Sequence, residues 1–151
     1  MKVSKIAMVS VLALLTAACA GPLCKTRNLC RATISDSNIR EAVQGNPVLF
    51  DFDSAVLTTA GQEALMPYVQ YMLDNPEETA KIEGYTDSTG SESYNLGLSQ
   101  RRAKAAKKFF VEKGIECKRL TIEGMGETNF IASNKTKADR AKNRRIEIEF
   151  K

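Results

Sequence analysis

Residues 84–102 read GYTDSTGSESYNLGLSQRR and lead from the end of a strand, through a polar turn, into a long helix. We predict this helix at residues 91–113 and expect Thr89 and Glu92 to form a capping box at its start. A turn that joins a strand to a helix is a common position for ligands in α/β proteins. Asp87 lies in this turn, so its carboxylate is the first candidate for a functional group.

Arg102 is predicted to lie on the inward face of the same helix. Leu98 and Ala106 lie four residues before and after it, and Asn95 lies seven residues before it, so these side chains share one face. A buried guanidinium is costly unless an anion meets it, and Asp87 is the nearest candidate. Two interpretations stay open: a structural salt bridge, or a pair that binds a zwitterion, with Asp87 on its ammonium and Arg102 on its carboxylate.

Two motifs of this chain resemble the signatures of the OmpA C-terminal-like family of peptidoglycan-binding domains. The first contains GYTDSTG and YNLGLSQRRA, and the second contains NKT (134–136), RA (140–141) and NRRIE (143–147). The resemblance covers residues 47–151. The sequence differs from the family's usual pattern at Tyr85, where the family usually has His.

The resemblance implies that the domain binds diaminopimelate of the peptidoglycan stem peptide, with Asp87 on the ammonium and Arg102 on the carboxylate. It implies further site residues, which are Phe52, Asp53, Asn95, Leu98, Arg144 and Arg145. Leu98 is also a core candidate and Asn95 a polar group at the helix start. The sequence leaves open which of the two arginines contacts the ligand.

The composition argues against several other functions. The chain has no histidine, which excludes Ser-His-Asp and Cys-His catalytic arrangements, and its cysteine spacing fits no zinc motif. The formal charge of +4 becomes +2 if Lys2 and Lys5 are removed with a signal peptide. That charge does not indicate a nucleic-acid-binding face. We therefore predict a binding domain, with no enzymatic activity, no metal, no cofactor and no nucleic-acid partner.

The N-terminus is predicted to be an export signal. Residues 1–18 combine a basic start with a short apolar run at 6–15 and small residues after it, as in secretory signal peptides. The sequence LTAAC resembles a bacterial lipobox, which implies that Cys19 is lipidated; the alternative is ordinary cleavage, with Cys19 free or in a disulfide. Ala20 after it favours the outer membrane by family analogy. The expected localisation is therefore the outer membrane, with the domain facing the periplasm.

Residues 19–46 are interpreted as a polar tether that contains a short helix at 37–44. An exported protein meets an oxidising compartment, so Cys24 and Cys30 are predicted to form a local disulfide. Cys117 would then be unpaired.

Residues 47–151 are predicted to form one α/β (α+β) domain in the order β-α-β-α-β-α-β. The predicted elements are a first strand with Val48, Phe50 and Phe52 on one face, strands at 80–85, 120–124 and 145–150, and helices at 58–74, 91–113 and 137–142. In the first helix we expect a Thr59–Gln62 capping box, a kink at Pro67 and an inner stripe of Ala64, Leu65, Val69 and Met72. Alternation in the first and last strands predicts a small sheet with helices mainly on one face. The resemblance implies a mixed sheet whose last strand is antiparallel.

Two further functions are compatible with the sequence. One is an envelope lipoprotein whose main partner is a protein of the cell-envelope tethering system. The other is an enzyme that acts on the cell wall.

Overall fold

The computed structural model describes residues 46–151. The predictions for the signal peptide, Cys19, the tether with its helix and the Cys24–Cys30 disulfide lie outside the described residues.

The elements in this part of the chain follow the predicted order. They are β1 (Val48–Leu49), α1 (Thr59–Asp74), β2 (Ala80–Gly84), α2 (Glu92–Glu112), β3 (Leu120–Gly124), α3 (Lys137–Asn143) and β4 (Arg145–Phe150). A 3₁₀ turn at Cys117–Arg119 precedes β3, and Cys117 is exposed and free. None of these helices is long and apolar enough to cross a membrane.

The strands form one mixed sheet in the order β1-β4-β2-β3. β2 and β3 are parallel, with Ala80 opposite Leu120 and Gly84 opposite Gly124. β4 runs antiparallel to both β1 and β2. The predicted α/β (α+β) class with a small mixed sheet and an antiparallel last strand is therefore confirmed.

Both long helices pack on one face of the sheet. Phe150 of β4 contacts Tyr71 of α1, with ring centroids 4.5 Å apart, and Ser99 of α2 lies against Gly84 of β2. The buried apolar residues of the helices and of this sheet face form one core. Charged side chains occupy the other face, where Lys81 Nζ lies 2.6 Å from carboxylate oxygens of both Glu83 and Glu123.

The two predicted capping boxes are wrong by one or two residues. Thr58 caps α1, and its hydroxyl accepts a hydrogen bond from the Gly61 amide at 3.1 Å. Ser91 caps α2 by accepting from the Tyr94 amide. Both caps have extended backbone conformations, which an N-cap residue requires. Thr59 is already the first residue of α1.

The predicted inner stripe of α1 needs one correction. Leu65, Val69 and Met72 are buried, whereas Ala64 is exposed. The buried face instead includes Tyr68, whose hydroxyl donates to the Asn46 carbonyl at 2.7 Å. The helix continues through Pro67 to Asp74.

The first strand is shorter than predicted, because β1 ends at Leu49. Phe50 is buried, but Phe52 is 64% exposed, and Asp53 has a positive φ of 50°. The Asp51 carbonyl of this segment accepts a hydrogen bond from Arg102 Nη2 of α2 at 3.1 Å. The chain therefore turns away from the sheet after Phe50.

Candidate ligand-binding cleft

A cleft of about 170 Å³ opens where the loop after β1, the turn between β2 and α2, and the residue after α3 meet. The residues that line it are Phe52, Asp53, Thr86, Asp87, Thr89, Gly90, Tyr94, Asn95, Leu98, Arg102 and Arg144. The predicted site residues among them come from three separate parts of the sequence. The fold brings them together because β4 lies between β1 and β2.

Asp87 is buried at the turn and has two fixed partners. Its Oδ1 accepts a hydrogen bond from the Thr89 amide at 2.9 Å. Its Oδ2 accepts one from Arg144 Nη1 at 3.1 Å in a largely buried ion pair. The ion partner of Asp87 is thus Arg144, and the salt bridge with Arg102 that the sequence left open does not form.

Arg102 is fully buried, as predicted from its helical face, but its hydrogen bonds go to main-chain carbonyls. Nε donates to Ser54 O and Nη1 to Tyr85 O, both at 2.8 Å, and Nη2 donates to Asp51 O. A guanidinium has five N–H donors, so these bonds leave donors that can serve a ligand.

The positive charge of Arg102 has no carboxylate within ion-pair distance among the residues that the structure describes. Burial, followed by repulsion from Arg144, lowers the pKa of Arg102 to about 10, and the Asp87 charge partly offsets these effects. Arg102 therefore remains charged at neutral pH. A buried charge of this kind can receive an anion.

Asn95 connects the turn to the loop after β3. Its Nδ2 donates to Glu127 Oε2 at 2.7 Å and lies within hydrogen-bond distance of the carbonyls of Thr89 and Asp87. Asn95 is buried, as predicted for the inward face of α2. It thereby holds the main chain of the turn at Asp87 and at Thr89.

Thr86 is the unsatisfied polar group of the cleft. It is 1% exposed, and its hydroxyl has no hydrogen-bond partner within residues 46–151. Its amide donates to Gly126 O at 2.8 Å, which fixes its position. Buried hydroxyls are normally paired, so this hydroxyl is available to a ligand.

Aromatic and apolar groups form the walls of the cleft. The Tyr94 hydroxyl donates to Asp53 Oδ1 and so connects α2 to the loop after β1. Phe52 and Tyr94 are exposed, and Leu98 is buried beneath them. The cleft therefore combines charged groups with a partly apolar rim.

Arg144 and Arg145 occupy different environments. Arg144 lines the cleft, whereas Arg145 does not. The Arg145 guanidinium lies 4.2 Å from the Tyr85 ring centroid, and its Nε donates to Glu147 Oε1 at 2.6 Å. Neighbouring residues of an extended chain point to opposite sides, which explains the separation.

Four residues that line the cleft were not among the predicted site residues: Thr86, Thr89, Gly90 and Tyr94. Tyr94 lies four residues before Leu98, so its position on the same helix face was a usable signal. Thr86 directly precedes Asp87 in the motif. No periodicity marks Thr89 or Gly90, because both belong to the turn.

The second motif shapes the loop beside this turn. Asn143 accepts hydrogen bonds from the amides of Ile131 and Ala132, each at 3.0 Å, and donates to Asn134 Oδ1. The same Asn134 oxygen accepts from the Ser88 amide at 3.3 Å. The asparagines of the motif thus brace the Asp87 turn from outside. Across 46–151, no group of three or more His, Cys, Asp or Glu side chains is arranged to hold a metal.

Comparison with known proteins gives concordant matches. Residues 49–144 match the OmpA family. The chain is 47% identical over 101 residues to outer membrane protein A of Bordetella avium, covering 67% of this chain and 52% of that protein. It is 42% identical over 107 residues to the peptidoglycan-binding protein ArfA of Mycobacterium tuberculosis, covering 71% of this chain and 33% of that protein. The chain thus spans about half, or less, of these relatives.

A solved structure is also similar. The crystal structure of the peptidoglycan-associated lipoprotein from Burkholderia pseudomallei superposes with a TM-score of 0.66 at 30% identity. The similarity covers 70% of this chain and 89% of that one.

Proposed function

The chain belongs to the OmpA family, and from this premise we propose that its domain binds peptidoglycan non-covalently through the diaminopimelate of the stem peptide. Two of the similar proteins are named for peptidoglycan binding or association. The domain is a binding module and not an enzyme, in agreement with the binding and structural proteins among its relatives.

The observation that carries this proposal is the pair of opposite charges in the cleft. Asp87 presents a carboxylate held by Thr89 and Arg144, and Arg102 presents a guanidinium without a carboxylate partner in the described part of the chain. The free end of diaminopimelate carries an ammonium and a carboxylate on one carbon. Asp87 takes the ammonium, and Arg102 takes the carboxylate through its remaining donors.

The size of the cleft agrees with a small ligand group. At about 170 Å³, it is smaller than the roughly 300–1,000 Å³ of pockets that enclose whole drug-sized molecules. The cleft can therefore take the end of one amino acid, while the rest of the peptide lies outside. Phe52 and Tyr94 at the rim contact its aliphatic part, and the Thr86 hydroxyl supplies a further hydrogen bond.

Co-sedimentation with purified sacculi tests this site. Asp87→Asn keeps the shape of the side chain but removes its charge, so we expect a loss of about 2–5 kcal/mol in binding, as for one partner of a desolvated charge pair. That is at least about a twentyfold loss of affinity. Arg102→Ala should weaken binding likewise, and its melting temperature must be measured because Arg102 holds three carbonyls.

The matched control is Glu63→Gln, which removes an exposed carboxylate on α1 outside the cleft. It should sediment with sacculi like the wild type. Free diaminopimelate should compete with sacculi for binding to the wild-type protein. Folded Asp87→Asn protein that still sediments fully would refute the proposed site.

The second part of the proposal is that a lipid on Cys19 anchors the chain in the outer membrane, so that the domain tethers membrane to wall. It rests on the lipobox-like LTAAC sequence and the signal-like residues before it. One acyl chain anchors a protein only marginally, so we expect more than one chain at this cysteine.

Fractionation and fatty-acid labelling test the anchor. Cys19→Ser should move the protein from the membrane to the soluble periplasm and remove the label, whereas Cys24→Ser should change neither. Label that persists in Cys19→Ser would show that the lipid is attached elsewhere.

A further inference from the structure

A second cleft borders the candidate site. It has a volume of about 420 Å³ and shares Phe52, Thr89 and Arg144 with the first cleft. Its remaining lining residues are Lys137 and Arg140, both on α3. The second cleft therefore adjoins the first at these three shared residues.

All charged residues that line the second cleft are cationic. The neighbouring acid on α3, Asp139, does not line it, and its Oδ2 accepts a hydrogen bond from the Ser133 hydroxyl at 2.8 Å. The charges of Asp53 and Asp87 in the first cleft are equal and opposite to those of its two arginines. The lining of the second cleft has a net positive charge. This charge distribution favours an anionic group in the second cleft.

The three cations differ in what already binds them. Arg144 is paired with Asp87 at the boundary between the clefts. Arg140 is oriented by hydrogen bonds from its Nη1 to the carbonyls of Asn134 and Lys135, at 2.7 and 3.3 Å. The side chain of Lys137 is exposed and makes no hydrogen bond or ion pair with the rest of 46–151. Lys137 is thus available to an incoming anion, and Arg140 is held beside it.

We propose that the second cleft binds a further carboxylate of the same stem peptide, one residue away from the diaminopimelate. This inference rests on the proposed function, because it takes the ligand of the first cleft as given. A stem peptide offers two such groups: the α-carboxylate of the γ-linked glutamate before diaminopimelate, and the terminal carboxylate of an alanine after it. Both present the same chemistry to Lys137 and Arg140.

Calorimetric titration of the purified protein with defined ligands tests this subsite. The ligands are free diaminopimelate, the alanyl-γ-glutamyl-diaminopimelate tripeptide, the same tripeptide with its glutamate α-carboxylate amidated, and the tetrapeptide that ends in alanine. Lys137→Ala is the test variant. Lys142→Ala is the control, because Lys142 is an exposed lysine on the same helix outside the cleft.

Lys137→Ala should leave the affinity for free diaminopimelate unchanged. It should lower the affinity for a peptide that carries the second carboxylate by about two- to fivefold, as for an exposed ion pair. If the glutamate is the source, amidation should weaken binding to the wild type and remove the effect of the substitution. If the alanine is the source, the effect should appear with the tetrapeptide and not with the tripeptide. The effect should shrink as salt is added, and Lys142→Ala should bind all four ligands like the wild type.

The outcomes separate the two proposals. Diaminopimelate binding with equal peptide affinities for Lys137→Ala and the wild type would overturn the subsite alone. Wild-type protein that binds no diaminopimelate would refute the proposed function, and the subsite with it.

Discussion

Tyr85 shows how one residue connects the cleft to the opposite side of the sheet. Its carbonyl accepts from Arg102 Nη1, while its ring stacks under the Arg145 guanidinium. Its hydroxyl donates to Glu83 Oε2 at 2.7 Å. Burial, reinforced by the hydrogen bond to Glu83, raises the pKa of Tyr85 to about 12.

This shift predicts a pH dependence of stability. Because the folded pKa lies above the unfolded value of about 10, the contribution of Tyr85 is complete below pH 10 and is lost as the pH rises through 12. Tyr85→Phe should lower the free energy of unfolding by about 0.5–1.5 kcal/mol at neutral pH, because the hydrogen bond to Glu83 is lost. Its free energy of unfolding should then fall less steeply than that of the wild type between pH 10 and 12.

Urea unfolding from pH 8 to 12 measures this difference. The other titrating groups are common to both proteins, so the difference between the two curves isolates the effect of Tyr85. Parallel curves over the whole range would contradict the assignment.

At the scale of the elements, β2, β3 and α2 pack closely through glycines. Gly84 and Gly124 are opposite each other at the ends of the parallel strands. A Cβ at Gly84 would lie 2.1 Å from the Ser99 carbonyl oxygen, and one at Gly124 would lie 2.7 Å from Gln100 Oε1. This close approach sets α2 against β2, and thus places Arg102 and Asn95 beside the Asp87 turn.

Gly84→Ala should therefore destabilise the protein by about 3 kcal/mol or more, since a main-chain oxygen cannot move away as a flexible side chain can. Gly97→Ala is the matched control on α2, where the close group among the described residues, apart from the helix backbone, is the flexible Arg101 side chain at 3.3 Å. It should be neutral or stabilising by up to about 1 kcal/mol, because alanine favours a helix over glycine. Urea unfolding compares the two variants, and a Gly84→Ala protein as stable as the wild type would contradict this packing argument.

At the scale of the whole molecule, the described residues contain one continuous hydrophobic core. Val48 at one end of the described chain and Phe150 at the other are both buried in it. The carbonyl of Lys151 accepts from the Thr79 amide at 3.2 Å, which closes the C-terminus onto the start of β2. The domain boundary that we propose at residue 47 therefore keeps all of the core that lies within the described residues.

A fragment of residues 47–151 should accordingly fold on its own and bind sacculi as the whole chain does. A single cooperative thermal transition, measured by circular dichroism beside the full-length protein, is the expected result. A fragment without such a transition would show that residues before 47 belong to the folding unit.

Short-range sequence patterns alone were sufficient to predict several secondary-structure elements and several buried residues of this protein. The alternation of polar and apolar residues identified β4 at its observed bounds, and the strand predicted at 120–124 matches β3. The helical spacing also placed Asn95 and Arg102 on the buried face of α2. Signals of this kind lie within one or two helical turns, so the sequence contains them whatever the rest of the chain does.

The partners of the buried charges were decided only by the tertiary structure. Asp87 pairs with Arg144, 57 residues away, and Arg102 binds the carbonyl of Asp51, 51 residues away. That second contact lies in the segment where the first strand has already ended and where Phe52 is exposed. No local pattern encodes such pairs, because they exist only after β4 inserts between β1 and β2 and brings the separated loops to one edge of the sheet.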